Sequence, residues 1–261
     1  MCRFAAFLIS FCLAVPALAK GGTTPVDVEL VLAVDVSYSM DEGEQKLQRD
    51  GYVQAFTSPE FYRALETGLI GKIAVTYMEW AANSDQKILV SWTLVDGPAS
   101  ARQFAEALRD APYRRARRTS VSGAIDFSMT LFPSNGFQGT RRIIDISGDG
   151  PNNNGRPVTA ARDEALATGV IINGLPLLIR PVRAYAMDIE NLDVYYADCV
   201  TGGQGSFVIP VRDVKDFVNA TKSKLIQEIA ALPTLILKTS MQEPRVSCLV
   251  GESLWQQRMG N

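Results

Sequence analysis

Apolar and polar positions along the chain form two kinds of segment. Residues 28–36 are an almost unbroken apolar run, which is typical of a strand buried on both faces. Further strand-like runs lie at 72–81, 87–95, 141–147, 169–178 and 206–211. Segments with helical spacing of apolar residues lie at 41–56, 99–111, 122–132, 157–168, 192–200 and 213–232. The pattern therefore predicts strands and helices in regular alternation.

This alternation predicts an α/β fold, because strands separated by helices pair in parallel through right-handed crossovers. Only five residues, ANSDQ, separate the runs 72–81 and 87–95, so these two form an antiparallel hairpin. The expected architecture is a Rossmann-like, doubly wound and mostly parallel sheet, with one antiparallel edge strand and helices on both faces. In such sheets ligands bind beyond the carboxyl ends of the strands.

The amino terminus resembles a secretory signal peptide. One arginine precedes an apolar stretch at 4–15, and Ala17-Leu18-Ala19 fits a cleavage site, so residues 1–19 are expected to be removed. The stretch is short for a membrane span, although an uncleaved anchor is the alternative. We therefore expect an exported protein, periplasmic or secreted, with no transmembrane span in the mature chain. Its domain would cover 20–232, with a tail at 233–261 packed on it or bridged to it.

Composition narrows the function. Of the 261 residues 47% are hydrophobic and 21% are charged, which suits a folded domain with a large core. A formal net charge of −2 argues against a nucleic-acid partner, since such proteins carry basic faces. The chain has no histidine, which excludes Ser-His-Asp and Cys-His catalysis and every histidine-based zinc site.

Two cysteines, Cys199 and Cys248, remain after the predicted cleavage. In an oxidising compartment such a pair tends to form a bridge, so we predict a Cys199–Cys248 disulfide that ties the tail to the domain. Two unpaired buried thiols are the alternative.

Hydroxyl and carboxylate side chains follow three of the predicted strands or open the helices after them. The first segment is DVSYS at 35–39, the second is TSVSGAI at 119–125, and the third is SGDG at 147–150. The ends of parallel strands meet at one edge of a sheet, so these segments are expected to lie together. Their oxygen atoms suit Mg²⁺, Mn²⁺ or Ca²⁺ rather than zinc or copper.

In this order, the three segments resemble the metal-ion-dependent adhesion site (MIDAS) of von Willebrand factor A (vWA) domains. The resemblance covers roughly residues 27–232 and extends to a bacterial, exported vWA-like family without an assigned function. It implies that Ser37, Ser39 and Thr119 bind the metal and that Asp35 and Asp149 act directly or through water. Mg²⁺ is the implied ion, with Mn²⁺ and Ca²⁺ as alternatives.

Two features of this assignment stay open. Ser120 stands beside Thr119 and is the alternative ligand, although the spacing to Ala124-Ile125 favours Thr119. A fold that binds no metal would instead use the 35–39 segment to cap the helix that begins near Asp41.

Other polar residues lie near the same edge. Glu79, Asn152 and Asn153 are candidates to support the site from behind, although the two asparagines also suit simple turns. The basic run YRRARR at 113–118 directly precedes Thr119. It either guides an acidic partner or forms a solvated loop.

The resemblance implies a non-enzymatic recognition module that binds a protein or peptide through the metal-bridged carboxylate of a partner Asp or Glu. A metal-dependent hydrolase with Asp35 as nucleophile is one alternative, and a small-ligand-binding protein is another. The hydrolase needs an acid or base two residues after the nucleophile, and that residue is Ser37.

Overall fold

A five-stranded sheet forms the centre of the molecule in a computed structural model that describes residues 22–179, 188–230 and 244–259. The strands are β1 (Thr24–Asp35), β2 (Ile73–Trp80), β3 (Gln86–Val95), β4 (Phe137–Gly148) and β5 (Ile171–Pro176). Their order across the sheet is β3-β2-β1-β4-β5, with only the β2–β3 pair antiparallel. The predicted fold class is confirmed: the chain has a vWA-like α/β fold with one antiparallel edge strand.

Helices lie on both faces of this sheet. They are α1 (Glu42–Phe56), α2 (Pro59–Glu66), α3 (Pro98–Asp110), α4 (Val121–Leu131), α5 (Val158–Ala167), α6 (Leu192–Tyr195), α7 (Phe217–Ile229) and α8 (Val250–Met259). A π-helical turn, Tyr196–Val200, continues α6, and a 3₁₀ turn, Val214–Asp216, precedes α7.

Side chains of β1 alternate between two cores. Leu30 and Leu32 pack in a cluster that includes residues of α1, α2, α3 and α7. Val31 and Ala33 pack in a second cluster with residues of α4, α5, α6 and the π-helical turn. Because both faces of the strand are buried, its sequence is a continuous apolar run instead of an alternating one.

One predicted strand does not form, and one helix was not predicted. Residues 206–211 form isolated bridges to β5 and to Leu177 instead of a strand. The ladder is interrupted at Pro176, which has no N–H to donate to this segment. Helix α2 lies between the predicted helix at 41–56 and the predicted strand at 72–81, where no element was predicted. Pro59 begins α2, where a missing N–H costs nothing, and Ser58 caps the helix.

The predicted signal peptide, residues 1–19, lies outside the described residues, as do 231–243 of the segment that joins α7 to the tail. The predicted helix 213–232 is divided into the 3₁₀ turn and α7. Among the described residues, no helix combines the length and the apolar character that a bilayer crossing needs.

Candidate metal centre at the carboxyl edge of the sheet

The strand order places the DVSYS and SGDG segments side by side. Strands β1 and β4 are parallel neighbours, with Val34 opposite Ser147 in the register. The chain runs outward from β1 to β2 and β3 and then returns to β4 on the other side of β1. The gap between the ends of β1 and β4 is therefore the topological switch point, where ligands bind in open α/β sheets.

The loop after β1 turns its oxygen atoms toward a common point. The Ser37 N–H donates to Asp35 Oδ1 at 2.7 Å, which curls the loop. The hydroxyls of Ser37 and Ser39 lie 2.8 Å apart. None of these three residues caps α1, because Asp41 does so with Glu44 in a capping box. The structure thus contradicts the helix-cap interpretation of the 35–39 segment.

Asp149 joins this group from the loop after β4. The Ser39 hydroxyl donates to Asp149 Oδ1 at 2.7 Å, although the two residues are 110 positions apart. The Ser39 hydroxyl therefore lies within hydrogen-bonding distance of both the Ser37 hydroxyl and the Asp149 carboxylate and links the two loops.

The structure distinguishes Thr119 from Ser120. Thr119 lines the same cavity as Ser37, Ser39 and Asp149. Ser120 is fully buried and caps α4: its hydroxyl accepts from the Gly123 N–H and donates to the Asn154 carbonyl. The side chain available to the site is therefore that of Thr119.

Asn152 and Asn153 fasten the loop that carries Thr119. The Thr119 N–H donates to Asn153 Oδ1 at 3.0 Å, and the Asn153 N–H donates back to the Thr119 carbonyl at 2.8 Å. Asn152 Oδ1 accepts from the Ser122 N–H at 3.0 Å. Both asparagines are buried, so they position the loop instead of serving as exposed turn residues.

Asp35 lies behind the cavity and is completely buried. Burial, and secondly the negative charge of Asp149, raise the pKa of the Asp35 carboxyl well above its ordinary value, while N–H groups of Ser37 and Asp149 act more weakly in the opposite direction. Its Oδ2 atom accepts no hydrogen bond from the described residues. No basic side chain among the described residues pairs with it.

Tyr196 encloses Asp35 from the side. A Cβ atom placed on Gly148 would lie 2.9 Å from the Tyr196 hydroxyl and 3.0 Å from Asp35 Oδ2, so both oxygens border the same small space. Only a residue without a side chain fits at Gly148, which explains the glycine of the SGDG segment.

These observations fit a hard divalent cation. The donor set is two carboxylates and three hydroxyls, and oxygen atoms are what Mg²⁺, Mn²⁺ and Ca²⁺ prefer. Among the described residues, no three His, Cys, Asp or Glu side chains form a group that would hold a metal ion. A cation at this point would therefore take most of its protein oxygens from hydroxyl groups, and a bound cation would offset the buried charge of Asp35.

Glu79 lies elsewhere. Its carboxylate is buried and binds the guanidinium groups of Arg49 at 2.8 Å and Arg114 at 3.1 Å, outside the cavity lining. Burial raises the pKa of Glu79, and the two arginines partly offset this. Because Arg114 belongs to the run 113–118, Glu79 anchors the segment that leads to Thr119.

The cavity above these residues has a volume of about 500 Å³. Beyond the candidate ligands, its lining includes Tyr38, Arg117, Arg118, Asp188, Trp255 and Arg258. Trp255 and Arg258 belong to α8, and neither was predicted as a site residue. A lone tryptophan in a polar tail was the one local signal for them.

The predicted disulfide is present. Cys199, in the π-helical turn, is bonded to Cys248, two residues before α8. The bond therefore ties the tail to the element that carries Tyr196.

Several solved structures with this fold come from adhesive and matrix proteins. Proximal thread matrix protein 1 from the mussel byssus superposes with a TM-score of 0.57 at 10% identity, over 78% of this chain and 48% of that one. The same protein with a zinc-occupied MIDAS motif gives a TM-score of 0.50 at 11% identity, over 78% and 46%. The pilus adhesin SpaC from Lactobacillus rhamnosus GG, in its open conformation, gives 0.55 at 13% identity, over 80% and 31%.

This chain thus spans about half the length of the mussel protein and a third of the adhesin. At these identities the likeness establishes the fold alone. No curated protein matches the sequence. One family model does match it, over residues 25–233, and the chain therefore belongs to the family described as "protein of unknown function (DUF1194)".

Proposed function

We propose that this chain is an exported, non-enzymatic recognition module that binds a partner protein or peptide through a divalent cation. Ser37, Ser39 and Thr119 would hold the cation, with Asp35 and Asp149 acting directly or through water. The observation that carries the proposal is the convergence of Ser37, Ser39, Thr119 and Asp149 at the floor of an open cavity.

The proposed ion is Mg²⁺, because the donors are hard oxygens and Mg²⁺ keeps waters that an incoming oxygen can displace. The zinc in the mussel protein's MIDAS motif supports a divalent cation in this fold. An Asp or Glu carboxylate of the partner would take the cation position that faces the cavity.

Binding is favoured over hydrolysis by the burial of Asp35. A carboxylate nucleophile must reach the atom that it attacks, at about 3 Å. Asp35 is not part of the cavity lining and is enclosed by Gly148 and Tyr196. Its carboxylate would thus balance the charge of a cation from behind, and a substrate in the cavity would not reach it.

Thermal unfolding tests the metal site. Millimolar Mg²⁺ or Mn²⁺ is expected to raise the Tm of the metal-free protein by several degrees, since a ligand at 100 times its Kd stabilises a protein by about 2.7 kcal/mol. Asp149→Ala should abolish the shift. Asp163→Ala, which changes an exposed carboxylate that pairs with its neighbour Arg162, is the control and should keep it.

Mn²⁺ binding should also be followed directly by electron paramagnetic resonance. The absence of both a Tm shift and bound Mn²⁺ in the wild-type protein would refute the metal site. If the metal binds, capture of envelope proteins in Mg²⁺ and in EDTA, with Asp149→Ala as the control, would identify the partner.

A further inference from the structure

Beyond the candidate metal ligands, the cavity lining is rich in basic and aromatic side chains. Arg117 and Arg118 contribute to it from the run 113–118, which we call the basic loop. Trp255 and Arg258 contribute from α8, and the guanidinium of Arg118 stacks 4.4 Å above the Trp255 ring. This stacking joins the basic loop to α8 across the cavity.

Covalent and ionic contacts hold α8 at this place. The Cys199–Cys248 bond fixes the chain two residues before the helix. Arg245 adds an ion pair with Asp198 at 2.7 Å, and its N–H donates to the same carboxylate.

Close packing at the start of α8 fixes it further. A Cβ atom on Gly251 would lie 2.0 Å from the Asn152 carbonyl oxygen, so the helix rests directly on the loop after β4. Asn152 Nδ2 also donates to Glu252 Oε1 at 2.7 Å. Such contacts suit a fixed wall rather than a mobile lid.

Two arginines of the cavity lining, one from the basic loop and one from α8, are available to a ligand. The side chains of Arg117 and Arg258 are exposed, and neither forms an ion pair with the described residues. The lining carries three arginines against two aspartates, Asp149 and Asp188. A bound divalent cation would make the cavity still more positive, so its charge complements an anionic ligand.

We infer that α8 and the basic loop extend the metal-centred site into a groove that selects an acidic peptide segment. One carboxylate of the segment binds the cation, and neighbouring carboxylates bind Arg117 and Arg258. This inference rests on the proposed function for the first carboxylate, while the selectivity rests on residues that lie outside the metal ligands.

A pair of labelled peptides tests the inference by fluorescence anisotropy in saturating Mn²⁺. Acetyl-Gly-Asp-Gly-amide offers one carboxylate and acetyl-Glu-Asp-Glu-amide offers three. We expect the triacidic peptide to bind about tenfold more tightly at low salt, and this advantage should shrink as salt rises.

Matched variants locate the effect. Arg258→Gln should reduce the advantage of the triacidic peptide about threefold, which is typical for one exposed charge pair, and the double variant with Arg117→Gln should nearly remove it. Arg109→Gln is the control, because this exposed arginine of α3 lies outside the cavity. It should leave both affinities unchanged.

Mn²⁺ binding, measured separately on every variant, distinguishes the two hypotheses. The absence of Mn²⁺ binding to the wild-type protein would contradict the proposed metal site. Normal Mn²⁺ binding with equal affinity for the two peptides would overturn the acidic groove alone. Tighter peptide binding by Trp255→Ala or after disulfide reduction would also overturn it, because α8 would then cover the site instead of forming part of it.

Discussion

Buried carboxylates occur at two places around the sheet. The two places differ in whether the chain itself supplies a cation that neutralises the carboxylate charge. At the centre of the molecule, Lys224 lies between Asp145 and Glu228, at 2.5 Å from Asp145, and all three are almost completely buried. We call these three residues the interior ion cluster. At the carboxyl edge, Asp35 is equally buried, and no basic side chain of the described residues pairs with it.

In the closed interior, Lys224 thus neutralises the buried carboxylates. Beside the open cavity, no basic side chain of the described residues does so for Asp35. In both places burial raises carboxyl pKa values, for Asp145 and Glu228 despite Lys224 and for Asp35 in its absence. A buried carboxylate without a partner is costly and is retained where function requires it. This difference favours a cation from solvent at Asp35.

The largest expected effect comes from removing the internal cation. Lys224→Met should lower the free energy of unfolding by about 3–5 kcal/mol, because it leaves Asp145 and Glu228 buried without their partner. Urea denaturation at neutral pH measures this loss. A change below 1 kcal/mol would show that the interior ion cluster is not stabilised by Lys224, and the comparison would then fail.

A methyl group at Gly148 probes the packing around Asp35. Gly148→Ala should destabilise the protein by about 2 kcal/mol, since the added Cβ would press on the Tyr196 hydroxyl and on Asp35. Gly150→Ala is the matched control two residues away, because its Cβ would meet nothing closer than 3.9 Å. Equal denaturation midpoints for the two variants would show that Asp35 is not tightly enclosed.

The pH dependence of stability reports on Glu228. Burial, and secondly the charge of Asp145, raise the pKa of Glu228 from 4.5 to about 7. The folded protein therefore keeps a proton that the unfolded chain has lost, so stability should fall as pH rises from about 4.5 to about 7.

Glu228→Gln removes this titration. Relative to the wild type, the variant should gain of the order of 1–2 kcal/mol as pH rises across that range, measured by urea denaturation at several pH values. A constant difference between the two proteins would contradict the raised pKa of Glu228.

The smallest effect is expected at Asp35 and has the opposite sign to that at Lys224. In EDTA, Asp35→Asn should stabilise the protein by roughly 1 kcal/mol at neutral pH, because it removes a buried charge and keeps the acceptor for the Ser37 N–H. In Mg²⁺ the order should reverse, since only the wild type gains from the cation. Thermal unfolding of both proteins in both buffers measures the reversal.

Sequence reasoning reached the candidate ligands because each follows a strand or opens a helix. The apolar run before Asp35 is local, and parallel strands bring their carboxyl ends together whatever the intervening helices contain. The disulfide was also predictable, since only two cysteines follow the predicted cleavage site.

The sequence indicated the basic loop as a whole, but it did not predict the contacts of its individual arginines or the position of α8. Arg114 pairs with Glu79 and Asp85, whereas Arg118 stacks on Trp255, and nothing in the run itself distinguishes one arginine from the next. The position of α8 depends on the close packing of Gly251 against the Asn152 carbonyl, and these two residues are 99 positions apart in the sequence. Contacts of this kind have no periodic pattern that a sequence reading can detect.

The bond between Cys199 and Cys248 has a practical consequence for anyone who makes this protein. The family match ends at residue 233, so a fragment cut there would lose Trp255 and Arg258 and leave Cys199 with a free thiol. Synthesis in a reducing cytosol would likewise leave the tail without its bridge. Production in the periplasm, with the chain kept through residue 259, is the route that preserves the bridge and the proposed binding surface.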